Sequence, residues 1–302
     1  MSWKVLVIKD GQKVSLFLDN LVVSTEYQNY KVPIGDLNVV FFENTKAIVT
    51  TKIIVKLAQA KVLVMFCDND FNPCCMLQPF KGNYMQLEIL NKQISWSKEN
   101  KIRIWTKIVE KKINAQIDIL KLNLKSMDKV EKLFNYIKDI KPGDLSNREG
   151  HAAKVYFKEL FGNNFTRDLD NHINAGLNFG YTIIRNFFSR VITSKGLNPT
   201  ISIFHSNRYN AFALSDDLME PFRPIVDNYV YNHILNDDYF SRNNRIGLIN
   251  LLNAKVIFDG RELFLSNAID AYVDNIIKDL NDEKIDKNIE TPMPSSIRYY
   301  EL

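Results

Sequence analysis

The pattern of apolar and polar positions divides the chain into a strand-rich beginning and a helix-rich remainder. Val5-Leu6-Val7-Ile8 is a short apolar run ended by Asp10-Gly11. Val14, Leu16 and Leu18 alternate with Ser15 and Phe17, and Asp19-Asn20 supplies a turn before Leu21-Val22-Val23. Val32-Pro33-Ile34 and the run from Leu37 to Phe42 predict two more strands, the proline marking an edge or a strand end. The period then changes. Ile53, Ile54, Leu57 and Ala58 sit at helical spacing, followed by a buried strand over 62–66 and a turn over 69–73. Residues 1–82 are therefore predicted to form a β-rich domain with one packed helix.

Beyond Gly82-Asn83 the spacing becomes helical. Ile102, Trp105, Ile108/Val109, Ile113, Ile117, Leu120 and Leu124 recur mostly at steps of three and four, an amphipathic helix expected to turn its lysines outward. A second helix over 127–140 is stopped by Lys141-Pro142-Gly143. Asn147 can cap a helix over 148–160, with Gly162 just past its end. Residues 169–193 predict a long helix rich in aromatics and Asn, closed by Gly196, and further helices are expected from Ser215, over 246–252 and over 266–280. Residues 284–302 are charged and contain proline, which reads as a flexible tail. The expected fold class is α+β, with a β-rich domain over 1–82, a larger all-α domain over 83–283 and the tail.

With 302 residues and 46% apolar content the chain has ample material for a core. No apolar run approaches the ~20 residues a bilayer crossing needs, so no membrane association is expected. Met1-Ser2-Trp3-Lys4 leads at once into a strand-like pattern, which argues against a secretory signal and for a cytoplasmic protein. Cys67, Cys74 and Cys75 show no metal-binding spacing and read as small buried apolar side chains. The net charge of +4 is unevenly spread. Residues 92–141 carry thirteen Lys and Arg against six Asp and Glu, a local +7 that leaves −3 elsewhere. A solvated helical face and a phosphate-tracking surface both have this composition.

Four histidines are few enough to weigh singly. His172 and His233 lie in helical patterns without a partner motif, and His151, two residues after Glu149, faces another side of its helix. His205 ends the apolar stretch Ile201-Ser202-Ile203-Phe204, where the chain leaves a buried segment; a lone histidine in such a place more often has a structural role. Ser215 can cap a helix whose opening turns hold Asp216, Asp217 and Glu220, with 217 and 220 on one face. Helix-dipole stabilisation or a Glu220–Arg223 ion pair would explain those acids without a metal. Pro221 and Pro224, however, are costly in a helix unless something else fixes the segment. Carboxylates with one imidazole and no thiolate suit Mg²⁺ or Mn²⁺ rather than structural zinc.

Four segments carry a resemblance: Asn147-Arg148-Glu149-Gly150-His151-Ala152-Ala153-Lys154-Val155-Tyr156-Phe157; the stretch from Asp170 to Tyr181; Gly196 to Arg208; and Leu214 to Asp227, with its Asp-Leu-x-Glu-x-x-Arg-Pro pattern. Pro33-Ile34-Gly35-Asp36-Leu37 and the stretch from Val64 to Pro73 extend it to the first half. Together, in this order, they resemble the CRISPR-associated integrase family, also described as endonucleases, and look most like the variant of type II systems.

The resemblance implies catalytic metal ligands Glu149, His205 and Glu220, with Asp217 as an auxiliary carboxylate at the metal. Lys154 and Arg208 would contact DNA phosphates, or else orient an active-site acid. It implies Mg²⁺ or Mn²⁺ as cofactor, a homodimer formed largely through the β domain, and two such dimers on a dimer of CRISPR-associated protein 2 in a heterohexamer. The substrate would be a short captured duplex whose 3′-hydroxyls attack the CRISPR repeat. The type II effector nuclease and an accessory adaptation protein would be further partners. The resemblance also turns the basic stretch toward DNA, while Trp96, Trp105 and Tyr136 are expected in the core. A catalytically idle DNA-binding scaffold is the alternative.

Overall fold

The computed structural model describes residues 4–9, 12–79, 83–281 and 289–299. The start of the chain, Asp10-Gly11, Gly82 and the tail segments 284–288 and 300–302 lie outside these residues. The α+β expectation holds: strands dominate the first part and helices the rest. The chain forms two compact units, one of residues 1–86 with 193–196, the other of 87–192 with 197–302.

The first unit contains β1 (Lys4–Ile8), β2 (Lys13–Phe17), β3 (Asn20–Ser24), β4 (Asn29–Pro33), β5 (Leu37–Phe42), β6 (Ile48–Val49), α1 (Thr51–Gln59), β7 (Leu63–Cys67) and β8 (Pro73–Leu77). One sheet has the order β1-β5-β7-β8 and the other β4-β3-β2-β6. β5 is parallel to both β1 and β7 and buried along its whole length, which is why it reads as an unbroken apolar run. Ile8, Val14, Leu21, Leu37, Phe42, Ile53 and Leu57 form one core drawn from both sheets and α1. At ~1.5–3 kcal/mol for each buried aliphatic or aromatic side chain, this core supplies most of the drive to fold the unit.

Strand β8 falls partly where only a turn was expected. It is an edge strand paired with β7 alone, and it opens at Pro73, where no ladder donor is needed. That position corrects the cysteine reading. Cys67 is buried, but Cys74 and Cys75 are exposed.

The second unit contains α2 (Gln86–Ile94), α3 (Lys98–Leu122), α4 (Met127–Lys138), α5 (Arg148–Phe161), α6 (His172–Ser194), α7 (Ala213–Met219), α8 (Arg223–His233), α9 (Arg242–Asn250), β9 (Lys255–Phe258), β10 (Arg261–Phe264) and α10 (Leu265–Asn281). α3 packs against α4, α5, α7, α8 and α10. Trp105, Ile108, Val109 and Ile113 on its apolar face are fully buried, and Trp96 is nearly so, as expected of core aromatics. α6 approaches α8 closely through Gly176 and Gly180; a Cβ at Gly180 would overlap Val226 Cγ1. The β9–β10 hairpin was not foreseen, although Asp259-Gly260, both at positive φ, is a tight-turn sequence.

Residues 289–299, part of the stretch expected to be flexible, are instead docked. Ile289 and Pro294 are buried, Lys255 and Arg298 exchange main-chain hydrogen bonds, and the Ser295 N–H donates to Asp118.

Candidate metal centre

The N-terminus of α5 fixes Glu149. Asn147, the expected cap, sits in the left-handed region at φ 50° and makes no side-chain cap bond. Asp144 does that work. Its carboxylate accepts from the N–H of Arg148 at 2.7 Å and of Glu149 at 3.0 Å. Glu149 thus stands in the first turn, where the helix dipole favours a carboxylate.

Glu220 is positioned by a broken helix. The expected helix capped by Ser215 instead begins at Ala213, and Ser215 is buried within it. A 3-10 turn over Glu220–Phe222 separates α7 from α8. The prolines explain the break: Pro221 opens the turn and Pro224 lies in the first turn of α8, where a missing N–H costs nothing. Phe222 is fully buried and packs edge-on against Phe188 and Tyr272, so the turn is anchored in the core.

Glu149 and Glu220 converge on one cation, the ammonium of Lys112 on α3. Lys112 Nζ donates to Glu149 Oε1 at 2.6 Å and to Glu220 Oε2 at 2.5 Å. Glu220 also accepts from Arg223 Nε at 2.8 Å, the ion pair that the spacing allowed. Burial raises the Glu220 carboxyl pKa, but Lys112 and Arg223 outweigh it and hold it down at about 2. Burial likewise works against the Lys112 ammonium, yet Glu220 and Glu149 prevail and raise its pKa. Lys112 corrects the expectation that the α3 lysines face outward. It sits on the face of Trp105, Ile108 and Val109, and that polar residue in an apolar stripe was the overlooked signal.

His205 leaves an irregular segment rather than a strand. Its Nδ1 lies 2.7 Å from Asp217 Oδ1, so the tautomer with a proton on Nδ1 leaves Nε2 as a bare acceptor. Asp217 is fully buried and also accepts from the N–H groups of Ile203, Phe204 and His205. Its oxygens are thus engaged with the His205 segment, a place from which it orients the imidazole. The hydrogen bond to Asp217 raises the His205 pKa, burial opposes it, and Asp217, Glu149 and Glu220 add further negative potential. The ring stands edge-on to Trp105, 4.9 Å between centroids.

Lys154 and Arg208 are not drawn into this cluster by any contact. Lys154 is exposed on α5, and exposed Arg208 stacks on Tyr209. His151 is exposed beside Tyr136, which itself lies under the Arg148 guanidinium; His172 meets the Leu235 carbonyl and His233 stacks on Tyr229. Among the described residues, no three His, Cys, Asp or Glu side chains are gathered closely enough to hold a metal ion. The donor chemistry nevertheless suits a hard divalent cation. Two carboxylates already share one cation position, and an oriented imidazole feels both.

Residues 5–255 match the family described as "CRISPR associated protein Cas1". This chain belongs to the Cas1 family. It is 34% identical over 227 residues to the CRISPR-associated endonuclease Cas1 of Neisseria meningitidis, covering 75% of this chain and 74% of that one. The CRISPR-associated endonuclease Cas1 1 of Thermodesulfovibrio yellowstonii is 27% identical over 264 residues, covering 77% and 82%. Among solved structures, a casposase bound to integration product superposes with a TM-score of 0.72 at 23% identity, over 94% and 93% of the two chains. The Cas1 protein of Thermotoga maritima gives 0.70 at 16%, over 93% and 98%. The same α+β fold recurs in a Cas6-RT-Cas1–Cas2 complex, with a TM-score of 0.69 at 20% identity over 92% of this chain and 35% of that one. No described helix is long and apolar enough to cross a membrane.

Proposed function

We propose that this Cas1 protein is a divalent-metal-dependent DNA endonuclease and integrase of CRISPR adaptation. It would join the 3′-hydroxyl of a short captured duplex to a phosphodiester of the CRISPR repeat in the cytoplasm. The observation that carries the reading is the convergence of Glu149 and Glu220 on a single cation position, beside an imidazole whose Nε2 is left free by Asp217. Glu149, Glu220 and His205 Nε2 would hold Mg²⁺ or Mn²⁺. Such an ion supplies Lewis-acid polarisation of the phosphodiester and stabilises the charge on the departing oxygen.

The remaining work belongs to the chain. Asp217, by accepting from Nδ1–H, sets the tautomer and turns the ring so that Nε2 is the acceptor. Arg223, stacked on Tyr181, holds Glu220 in place. Strand joining exchanges one phosphodiester for another: the new bond to phosphorus forms as the repeat's own P–O bond breaks, so no energy donor is required. Attack by water at the same phosphorus gives a nick.

The basic stretch over 92–141, with exposed Lys154 and Arg208, supplies the phosphate-contacting surface in this reading. Support for DNA joining comes from the casposase that shares the fold and is bound to integration product. Support for a CRISPR-associated protein 2 partner comes from the complexes in which a Cas1 chain of this fold occurs with Cas2. The reading extends to a homodimer, a heterohexamer with that partner, and the type II variant with its effector nuclease and accessory adaptation protein.

A strand-transfer assay tests it, with a short 3′-hydroxyl duplex, a supercoiled plasmid carrying a CRISPR array, and Mn²⁺, with and without the small partner. Covalent joining that disappears in Glu149→Ala, His205→Ala and Glu220→Ala is expected. DNA binding without joining or nicking in any condition leaves an idle scaffold instead.

A further inference from the structure

Lys112 occupies the one position on which both carboxylates converge. Its side chain is 11% exposed, and it is the only described ammonium in contact with Glu149 and Glu220. The second cation on Glu220, Arg223, is held differently. Its guanidinium is fixed by Glu220 at 2.8 Å and lies over the Tyr181 ring, 4.7 Å from the centroid. Two carboxylates and two cations therefore leave the cluster electrically balanced. His205 and Asp217 form a separate pair alongside.

That balance has a consequence for a divalent ion. Adding two positive charges to a compensated and largely buried cluster is unfavourable unless a resident charge departs or new negative charge arrives. Arg223 is braced; Lys112, a point charge on a flexible four-carbon stem, is not. A buried lysine is also not needed for packing here, since an apolar residue on this face of α3 would pack at least as well.

We propose that Lys112 is a resident competitor for the metal position, displaced when Mg²⁺ or Mn²⁺ binds and then paired with the phosphodiester that arrives there. This rests on the metal-dependent reading above and adds a coupling to it. The protein alone holds the metal weakly, because Lys112 opposes it. With DNA present the released ammonium gains a phosphate partner, and the metal is held more tightly. Metal and DNA binding thereby become reciprocal.

The test is a Mn²⁺ titration followed by electron paramagnetic resonance, on wild type, Lys112→Met and Glu149→Gln, with and without a short 3′-hydroxyl duplex. Wild type should bind Mn²⁺ roughly tenfold more tightly with duplex than without, the size expected for one nearby charge. Lys112→Met should bind Mn²⁺ at least ~10-fold more tightly than wild type without DNA, and should gain little from the duplex. Unchanged or weaker Mn²⁺ binding by Lys112→Met, with Glu149→Gln still abolishing it, overturns the competitor role and leaves the metal centre intact. Absence of Mn²⁺ binding in every protein overturns the centre itself.

Because Lys112→Met leaves two acids facing each other, its melting temperature is measured alongside, with Lys112→Gln as a neutral variant that can still donate to one carboxylate. Both should melt lower than wild type without metal and recover with Mn²⁺. Failure of both to recover at saturating Mn²⁺ counts against the inference.

Discussion

Asp217 holds His205 from two directions, through the ring Nδ1 at 2.7 Å and through the main-chain N–H at 3.2 Å. The same buried carboxylate takes the N–H groups of Ile203 and Phe204 at 2.8 and 2.7 Å. One side chain thus replaces the regular secondary structure that this segment lacks. Asp217→Ala should cost ~1–3 kcal/mol of stability, since one buried donor and three part-buried ones lose their acceptor at once. Denaturant unfolding measures it, and a loss under ~0.5 kcal/mol, the level of an ordinary surface substitution, would refute the role.

Glu220 balances Lys112 and Arg223 together, so Glu220→Gln should destabilise toward the lower end of the ~3–5 kcal/mol seen when a buried pair is broken, Glu149 still facing Lys112. The acid limb should change too. With its folded pKa held at about 2, Glu220 contributes stability that is present above the unfolded carboxyl value of 4.5 and lost as pH falls toward 2. Melting temperatures between pH 5 and 2 should therefore fall less steeply in Glu220→Gln than in wild type.

Asp227 behaves in the opposite sense. It is buried beneath the hydroxyls of Tyr156 and Tyr181, and burial pushes its pKa up to about 6 although both hydroxyls donate to it. The folded state therefore holds this proton more tightly than the unfolded chain. Its contribution should improve as pH falls through about 6 and level off near 3.8, a gain on the order of 2–3 kcal/mol in all. Wild type should gain stability relative to Asp227→Asn between pH 7 and 5. A constant difference between the two melting curves would contradict this.

Much of this was legible in the sequence. Short apolar runs and one alternating stretch located β1 to β5, and the change to period three and four located α1 and α3. The failures share a cause. Lys112 and Gln116 are polar residues at positions whose neighbours are apolar, and only the fold shows Lys112 facing two acids from other helices. Asn147 was the better cap by position, yet Asp144 reaches the free N–H groups because Gly143, at φ 71°, turns the chain back. Pro221 and Pro224 were correctly read as signs of a constrained segment, but whether they bend one helix or separate two depends on the packing of Phe222. Spacing alone could not bring Glu149 to Glu220; the resemblance did.

Gly180 should tolerate no side chain. A Cβ there would overlap Val226 Cγ1 and meet Leu248 Cδ2 at 3.1 Å, both on buried residues. Gly180→Ala should destabilise by ~1–3 kcal/mol through overpacking, despite the better helix propensity of alanine. Restoration of the melting temperature by adding Val226→Ala would confirm the contact.

The docking of residues 289–299 bears on how the protein is made. Asp118 on α3 receives its hydrogen bond from Ser295, and Asp279 and Leu280 near the end of α10 meet Arg103 and Asn100 in the first turns of α3, while Asn281 accepts from Trp96 just before it. The helix that carries Lys112 thus emerges from the ribosome long before its partners in α10 and the docked tail exist. During synthesis α4 and α5 can cover part of its apolar face at once, but the part that meets α7, α8, α10 and the docked tail must wait for them to follow. Such late closure favours slow maturation and a need for chaperone shelter in the nascent chain.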